Sequence, residues 1–378
     1  MATNHELLIL EEEDPIHGDI LEEILSHVPL VDLMRVLHVS KLWNQAVYSS
    51  LHSHNPVKPW LLRHSQATRS PYATSTHAYD PRSHVWMKVS QPSIKYISTL
   101  KSSQPNFVYM LSPLKLSFSL DQLNLTWHHV DAPLVWRADP IVARVGDSIV
   151  VAGGACDFED DPLAVEIYSL KSRTWRTCDS MPASLKDSAA STWLSIAASS
   201  EKLFVMEKHS GATHCFDLDS NDWSEPQDLR PDQRCFYSVI GYVKDRLILV
   251  GLIGNVEKVE KVKIWEVGCE SFECREIGEM PLGFLRKLRS ETFGISCINI
   301  CLGGSFVYMY NPTVVELEEV VACELMHGGG CSWESVKIAV AGGGCGMERV
   351  VFTCAGVKVE ELERALRLEN RRFEVVNV

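Results

Sequence analysis

The sequence predicts two parts of different fold class: a small all-α segment, then an all-β propeller of about six blades, closed by N- and C-terminal strands. Helical spacing of apolar residues dominates roughly the first sixty residues, and short β-rich runs separated by Gly, Pro, Asp and Ser follow. In the β-rich part, a motif that ends in an aromatic residue recurs at spacings of 41, 48, 48, 49 and 61 residues. A period of about 40–50 residues with several short strands per unit is typical of a propeller.

Composition limits the classes of partner and compartment. The chain has 378 residues and a formal net charge of −13. An acidic surface argues against nucleic acid and membrane partners, because both need a basic face. The sequence shows no signal peptide and no stretch approaching ~18 apolar residues. Its 12 cysteines form no Cys-x-x-Cys pair. We therefore expect reduced thiols and a cytoplasmic or nuclear location.

The helical segment is expected over residues 16–58, after an acidic, disordered arm at residues 1–15. Pro29 stops the first helix and Ser40 can cap the third. The apolar residues at helical spacing are Ile20, Leu21, Ile24, Leu25, Val28, Leu33, Met34, Val36, Leu37, Leu42, Trp43, Ala46 and Val47. A unit this short is marginal alone, so we expect it to finish its core on a partner, on the rest of the chain, or on both.

A linker is expected at residues 59–72 and the propeller at residues 73–378. The repeated motif appears six times, as Tyr79…Trp86, Leu120…Trp127, Tyr168…Trp175, Phe216…Trp223, Trp265…Phe272 and Leu325…Trp333. We expect the repeated Trp to be core, wedged between neighbouring blades.

Each repeat is predicted to form four strands. In the third copy these are Pro140–Val145, Ser148–Gly153, Ala164–Leu170 and Trp175–Cys178. In the fourth copy the outermost strand is expected at Trp223-Ser224.

The ring must close, and the first copy lacks inner strands. The buried-looking run Arg349–Cys354 has no blade of its own. We therefore expect both chain ends to build the first blade, with an amphipathic helix at Glu360–Glu369 on the rim.

The helical segment resembles the F-box. The stretches that carry the resemblance are Asp19–Leu25, Val28-Pro29, Leu33–Arg35 and Val39–Trp43. Ile16-His17 stands where the family has an opening Leu-Pro, and Ser40 stands where it has Cys.

The repeats resemble kelch repeats. In the third copy Gly153-Gly154 follows the second strand, Tyr168 lies in the third, and Trp175 comes seven residues later. In the fifth copy Phe272 takes the place expected for Trp.

Together these parts resemble the F-box/kelch-repeat proteins, a family abundant in plants. The resemblance implies a non-catalytic substrate-recognition subunit of an SCF-type (cullin–RING) E3 ubiquitin ligase. The F-box would dock a SKP-type adaptor, and through it cullin and RING subunits, while the propeller would bind an unknown target protein. The adaptor-binding residues that it implies are Ile16, His17, Ile20, Leu21, Ile24, Pro29, Leu33, Val39 and Trp43.

Other classes stay open at this point. The chain could be a kelch-propeller enzyme or small-ligand sensor whose helices are an N-terminal cap, or a scaffold that binds the adaptor without delivering a target. No catalytic set, cofactor or metal is predicted. Cys323, His327, Cys331 and Cys345 could be drawn as a zinc set, but their spacing matches no usual finger, so buried thiols are the preferred interpretation.

The loops before the inner strands carry the predicted target contacts. Aromatic and arginine side chains on a rigid ring are typical of protein recognition, although a propeller can also use them to fill its own channel. The predicted target-binding residues are Trp136, Arg137, Trp193, Arg234, Phe236, Tyr237 and Arg286.

Overall fold

The structure is a computed structural model, and it describes residues 18–68, 73–90, 98–121, 123, 126–155, 160–289, 294–314, 317–326, 329–338, 348–367 and 372–376. The predicted acidic arm, Ile16 and His17 lie outside the described residues. Within the described part of the chain, no helix is both long and apolar enough to cross a lipid bilayer.

Three short helices form the N-terminal segment, as predicted. They are α1 (Asp19–Ser26), α2 (Leu30–Val36) and α3 (Lys41–Ser49), and a π-helical turn at Ser50–His54 continues α3. Pro29 lies at the N-cap of α2, and the Ser40 hydroxyl accepts a hydrogen bond from the Trp43 N–H at 3.2 Å. The predicted cap of the third helix is therefore present.

Six antiparallel sheets follow as the blades of a propeller, which confirms the predicted fold class. Blade 1 begins with β1 (Trp60–Ala67), β2 (Thr74–Asp80) and β3 (Val85–Ser90). Blade 2 contains β4 (Lys101–Gln104), β5 (Phe107–Leu111), β6 (Lys115–Ser119) and β7 (Trp127–Asp131). Blade 3 contains β8 (Ile141–Val145), β9 (Ser148–Ala152), β10 (Val165–Ser169) and β11 (Trp175–Cys178). Blade 4 contains β12 (Leu194–Ala198), β13 (Lys202–Glu207), β14 (Ala212–Asp217) and β15 (Gln227–Asp228).

Blades 5 and 6 are also built from consecutive strands, and a short helix connects them. Blade 5 contains β16 (Cys235–Val243), β17 (Arg246–Gly254), β18 (Val259–Val267) and β19 (Cys274–Glu279), and α4 (Leu282–Lys287) follows it. Blade 6 contains β20 (Asn299–Gly303), β21 (Phe306–Tyr310), β22 (Glu319–Leu325) and β23 (Cys331–Lys337).

Strands from both ends of the chain close blade 1. Its order is β24-β1-β2-β3-β25, in which β24 is Glu348–Ala355 and β25 is Arg372–Val376. The predicted linker at residues 59–72 was therefore wrong over Trp60–Ala67, which pairs with both β2 and β24. The run reads as polar because Arg63, His64, Ser65 and Gln66 interrupt its apolar pattern, although all four lie within the sheet.

The ring has two distinct faces. The innermost strands β4, β8, β12, β16, β20 and β24 each contact the next around the channel. In each blade, the loops that join the first strand to the second and the third to the fourth leave at one end of the sheet. The other loops, including those between blades, leave at the opposite end. Because the helical segment contacts the β2–β3 loop through Arg82, we call its side the proximal face and the opposite side the distal face.

The turn before the outermost strand is repeated in four blades. Its position corrects the predicted place of the repeated aromatic residue in blade 5, and the outer strand of blade 4 also differs from the prediction. His84, Arg173, Asn221 and Phe272 all have φ between 55° and 60° and lie two residues before Trp86, Trp175, Trp223 and Cys274. Cys274, not Phe272, therefore takes the place of the repeated Trp in blade 5. In blade 4, Trp223 makes only an isolated bridge to Phe216, and the outer strand forms later, at Gln227–Asp228.

The repeated tryptophans pack on the third strand of their own blade. The ring centroids of Tyr79 and Trp86 are 5.4 Å apart, and those of Tyr168 and Trp175 are 5.3 Å apart. Trp86 is fully buried, whereas the later tryptophans are half-buried. Trp86 and Trp175 also lie in clusters that include residues of the neighbouring blade, which agrees with the predicted position between blades, but Trp175 is less buried than a core position implies.

The helical segment and blade 1 share one hydrophobic core. Leu21, Leu25, Leu33 and Val47 from the helices lie in the same cluster as Trp60, Leu62, Met87 and Val89 from the sheet. Helix α5 (Val359–Leu366) joins this cluster through the fully buried Leu362. The predicted C-terminal helix therefore forms, but it packs against the helical segment as well as the ring; Glu369 lies outside the described residues.

Candidate interaction surfaces

The first candidate surface is the outer side of the helical segment. The exposed fractions of Ile20, Val39 and Ile24 are 67%, 62% and 47%. These residues lie on α1 and in the turn before α3, and they are free to meet a partner. Leu42 and Tyr48, which the sequence analysis did not select, are exposed on the same segment. Exposed apolar side chains on a unit this small indicate a binding surface.

Two of the predicted adaptor contacts lie inside the segment instead. Leu33 is 0% exposed and Leu21 is 2% exposed, and both belong to the core shared with blade 1. Pro29 and Trp43 are half-buried. The family motif therefore combines residues that hold the helices together with residues that face outward. The order of residues in the motif does not tell which of them are buried and which are exposed.

The second candidate surface is the distal face of the ring. Its exposed large apolar side chains lie in loops between the second and third strands or between blades. They are Leu114, Leu134, Trp136, Trp193, Val256 and Leu282. On the proximal side only Met326 is comparably exposed among the described loop residues of the ring.

All seven predicted target contacts map to the distal side, but Arg137 and Tyr237 are buried. Arg137 is 2% exposed, and its Nη2 lies 2.5 Å from Glu166 Oε2. Its Nη1 donates to the carbonyl of Ala164. The prediction that Arg137 contacts a target was therefore wrong, because a carboxylate of the neighbouring strand β10 takes up its charge.

Trp193 and Phe236 meet through a histidine. The ring of His209 lies 6.1 Å from that of Trp193 and 5.2 Å from that of Tyr237, and its Nδ1 lies 3.3 Å from the carbonyl oxygen of Phe236. Trp193 is 49% exposed and Phe236 is half-buried, whereas Tyr237 is buried and packs against His209. Sequence reasoning missed His209, which has no motif around it.

The two remaining predicted residues are exposed at separate places. Arg234 forms an ion pair with Glu260, with Nη1 and Oε2 3.0 Å apart, so its charge is already compensated. Arg286 is exposed on α4, in the connection between blades 5 and 6. Both arginines lie on the distal face, as Trp193, His209 and Phe236 do.

Asp139 organises the distal mouth of the channel and was also missed. Its carboxylate accepts hydrogen bonds from Lys101 Nζ at 2.8 Å, Ser191 Oγ at 2.7 Å and Thr192 Oγ1 at 2.6 Å. Burial acts to raise the pKa of Asp139, but the hydrogen bonds outweigh it and lower that pKa to about 2. The carboxylate thus stays charged and links blades 2, 3 and 4.

No metal centre is visible in the described part of the chain, where no group of three or more His, Cys, Asp or Glu side chains could hold an ion. Of the four residues drawn as a zinc set, Cys323 is fully buried and Cys331 is half-buried on the paired strands β22 and β23. His327 and Cys345 lie outside the described residues.

Comparison with known proteins gives the family. Residues 18–52 match the F-box domain. Over 371 residues the chain is 41% identical to F-box/kelch-repeat protein At1g23390 of Arabidopsis thaliana, with 94% of each chain covered. The chain belongs to the F-box/kelch-repeat family. The match extends over the helices and the ring together, so it includes both candidate surfaces.

Among solved structures, the F-box/kelch-repeat chain is similar to a Bacteroides uniformis protein provisionally named a 6-phosphogluconolactonase. The likeness covers 78% of this chain and 100% of that one, at 14% identity and a TM-score of 0.44. It is too distant to bear on function.

The family assignment indicates which class of partner the outer side of an F-box generally binds. F-box domains generally bind SKP-type adaptors, and the residues that match the domain include the exposed Ile20, Ile24 and Val39. In this F-box/kelch-repeat protein the F-box is joined to the ring by a shared core, so the two surfaces belong to one packed body.

Proposed function

We propose that this chain is the substrate-recognition subunit of an SCF-type cullin–RING E3 ubiquitin ligase. The outer side of the F-box docks a SKP-type adaptor, and through it the cullin and RING subunits, and the distal face of the propeller holds a target protein. The chain itself makes and breaks no bond. It raises the effective concentration of the target's lysines near the ubiquitin carrier, in the cytoplasm, the nucleus or both.

One observation carries this proposal: most of the exposed large apolar side chains of the described residues, eleven of thirteen, fall into two separate sets. Five lie on the F-box, and six lie in loops of the distal face, at the opposite end of the blades. A bridging subunit needs two such surfaces that do not overlap, since both partners bind at once.

The F-box half of the proposal is tested by a double substitution, Ile20→Asp with Val39→Asp. Both side chains are more than 60% exposed, so the fold should survive while the apolar contact is lost. We expect recovery of the adaptor in co-purification to fall at least tenfold with an unchanged melting temperature. Val375→Asp, at a 49% exposed position on β25, is the matched control and should leave adaptor recovery unchanged.

Undiminished adaptor recovery by the double variant would refute this half of the proposal. Leu33→Asp is not a suitable test, because Leu33 is 0% exposed and a charge there would unfold the F-box itself.

A small-ligand sensor is the second candidate, and the central channel favours it. The channel encloses about 1880 Å³ and is lined by polar groups that include Lys101, Asp139, Arg144 and Lys208. Native mass spectrometry of the purified chain separates the two functions: a small molecule or metal retained in one-to-one ratio would favour the sensor.

A further inference from the structure

The loop that carries Leu134 and Trp136 is held rigidly with its apolar side chains outward. The N–H of Leu134 donates to Glu166 Oε1 at 2.5 Å, and that of Val135 donates to Glu166 Oε2 at 3.3 Å. Arg137 completes the arrangement, since its guanidinium binds the same carboxylate and the carbonyls of Val135 and Ala164. Leu134 is nevertheless 77% exposed and Trp136 is 43% exposed.

A buried ion pair is a costly way to fix a loop that only connects two blades. Glu166 and Arg137 have side chains that are each 1% exposed, so both charges are removed from water. What the pair achieves is a fixed backbone beneath two solvent-facing apolar side chains. Preorganised apolar anchors lose little conformational entropy on binding, which is the property of a binding hot spot.

A third apolar side chain extends this platform. Leu114, in the β5–β6 loop of blade 2, is 85% exposed, and its carbonyl accepts a hydrogen bond from the N–H of Ala132 at 3.3 Å. Ala132 lies two residues before Leu134. We call Leu114, Leu134 and Trp136 the apolar platform.

Exposed carboxylates lie in loops of blade 3 on the same distal side as the platform. Asp161 and Asp179 are exposed, and the Ser180 hydroxyl donates to Asp161 Oδ2 at 2.5 Å. The hydrogen bond from Ser180 is the main cause that lowers the pKa of Asp161, so the group is charged at neutral pH. Of the two cations that act on Asp161, Arg137 and Lys186, Arg137 is already bound to Glu166.

We propose that the apolar platform docks a target segment in which apolar side chains are flanked by lysine or arginine. The apolar side chains cover Leu114, Leu134 and Trp136, and the flanking cations meet the carboxylates of Asp161 and Asp179. This inference rests on the proposed function, in which the distal face holds the target, and it adds the chemistry of that target.

The test is selection of a displayed random-peptide library on the full-length chain. We expect enriched peptides to combine large apolar residues with Lys or Arg. Binding of a synthetic enriched peptide should weaken at least tenfold in Trp136→Ala, and several-fold in Asp161→Asn combined with Asp179→Asn. It should also weaken as salt is raised.

Met326→Ser is the matched control, because Met326 is 52% exposed but lies on the proximal face, outside both proposed binding surfaces. Its peptide binding should equal that of the unchanged chain. No enrichment, enrichment of acidic peptides, or binding that survives Trp136→Ala would overturn the inference. Co-purification of the adaptor is measured separately, so failure here leaves the F-box half of the proposed function standing.

Discussion

His64 links three strands of blade 1 from the interior of the sheet. Its Nδ1 lies 3.1 Å from Thr76 Oγ1 on β2, and its Nε2 lies 2.9 Å from Thr353 Oγ1 on β24. Burial lowers the pKa of His64 to about 4, from an ordinary value of 6.5. The closing blade is therefore built around a neutral imidazole.

This histidine should make stability fall with acid. Because the folded pKa is the lower one, the unfolded chain binds a proton first as the pH drops. The contribution of neutral His64 is complete above pH 6.5 and is lost as the pH falls towards 4, by about 3 kcal/mol in all. Urea unfolding at several pH values should show a shallower acid loss in His64→Gln. Parallel pH profiles for the two chains would contradict this assignment.

Single residues show why the target contacts were only partly predictable. Trp136 and Trp193 were chosen for their chemistry and are exposed on the expected face. Arg137 was chosen on the same grounds, yet its partner Glu166 lies 29 residues further along, on strand β10. Composition identifies a loop rich in recognition residues, but only tertiary contacts decide which side chains are already paired.

At the scale of elements, the β2–β3 hairpin holds the F-box by one arginine. Arg82 is 2% exposed, and its guanidinium donates to the carbonyls of Val28, Leu25 and Asn55 at 2.5, 2.6 and 2.9 Å. Two of these carbonyls lie at the end of α1, where a positive charge is favoured by the helix dipole. Asp80, at the base of the same hairpin, accepts the N–H of Leu30 at the start of α2 at 3.2 Å.

Arg82→Met should uncouple the F-box from the ring. Three carbonyls would lose their donors, one in a buried and two in part-buried hydrogen bonds, a loss of about 3 kcal/mol. We expect calorimetry to show the F-box melting before the ring, and faster hydrogen exchange in α1. Lys171→Met is the control, because Lys171 also lies four residues before its tryptophan but is exposed. A single unshifted transition in Arg82→Met would refute the coupling.

The repeats made most strands predictable, whereas the strands that close the ring and the contacts between the F-box and the ring were not. Strands such as Trp175–Cys178 form where the motif places them. Strand β1 was missed because polar residues interrupt its apolar pattern, and the partners that His64 and Gln66 find inside the fold are distant in sequence. Strand β25 was missed because five residues carry too little pattern. No local signal marks Arg82 as a contact to a helix some fifty residues earlier.

At the scale of the whole molecule, the ring depends on strands contributed late in the sequence. A chain that stops before Glu348 would lose β24 and β25, leaving β1 without its inner partner and the channel open on one side. We expect this truncation to abolish the cooperative unfolding transition. A chain that stops after Leu366 loses only the outer edge strand and should retain cooperativity at a lower melting temperature. Equal transitions in both truncated chains would show that β24 does not close the ring.

The hydrogen bond between His64 and Thr353 joins residues that are synthesised at very different times. The two residues are 289 positions apart. At about 5–20 residues per second, roughly 15–60 s separate their emergence from the ribosome. Throughout that interval β1 presents an unpaired inner edge, open to pairing with other chains. The yield of folded protein should therefore depend on elongation rate and on chaperones that shield this edge.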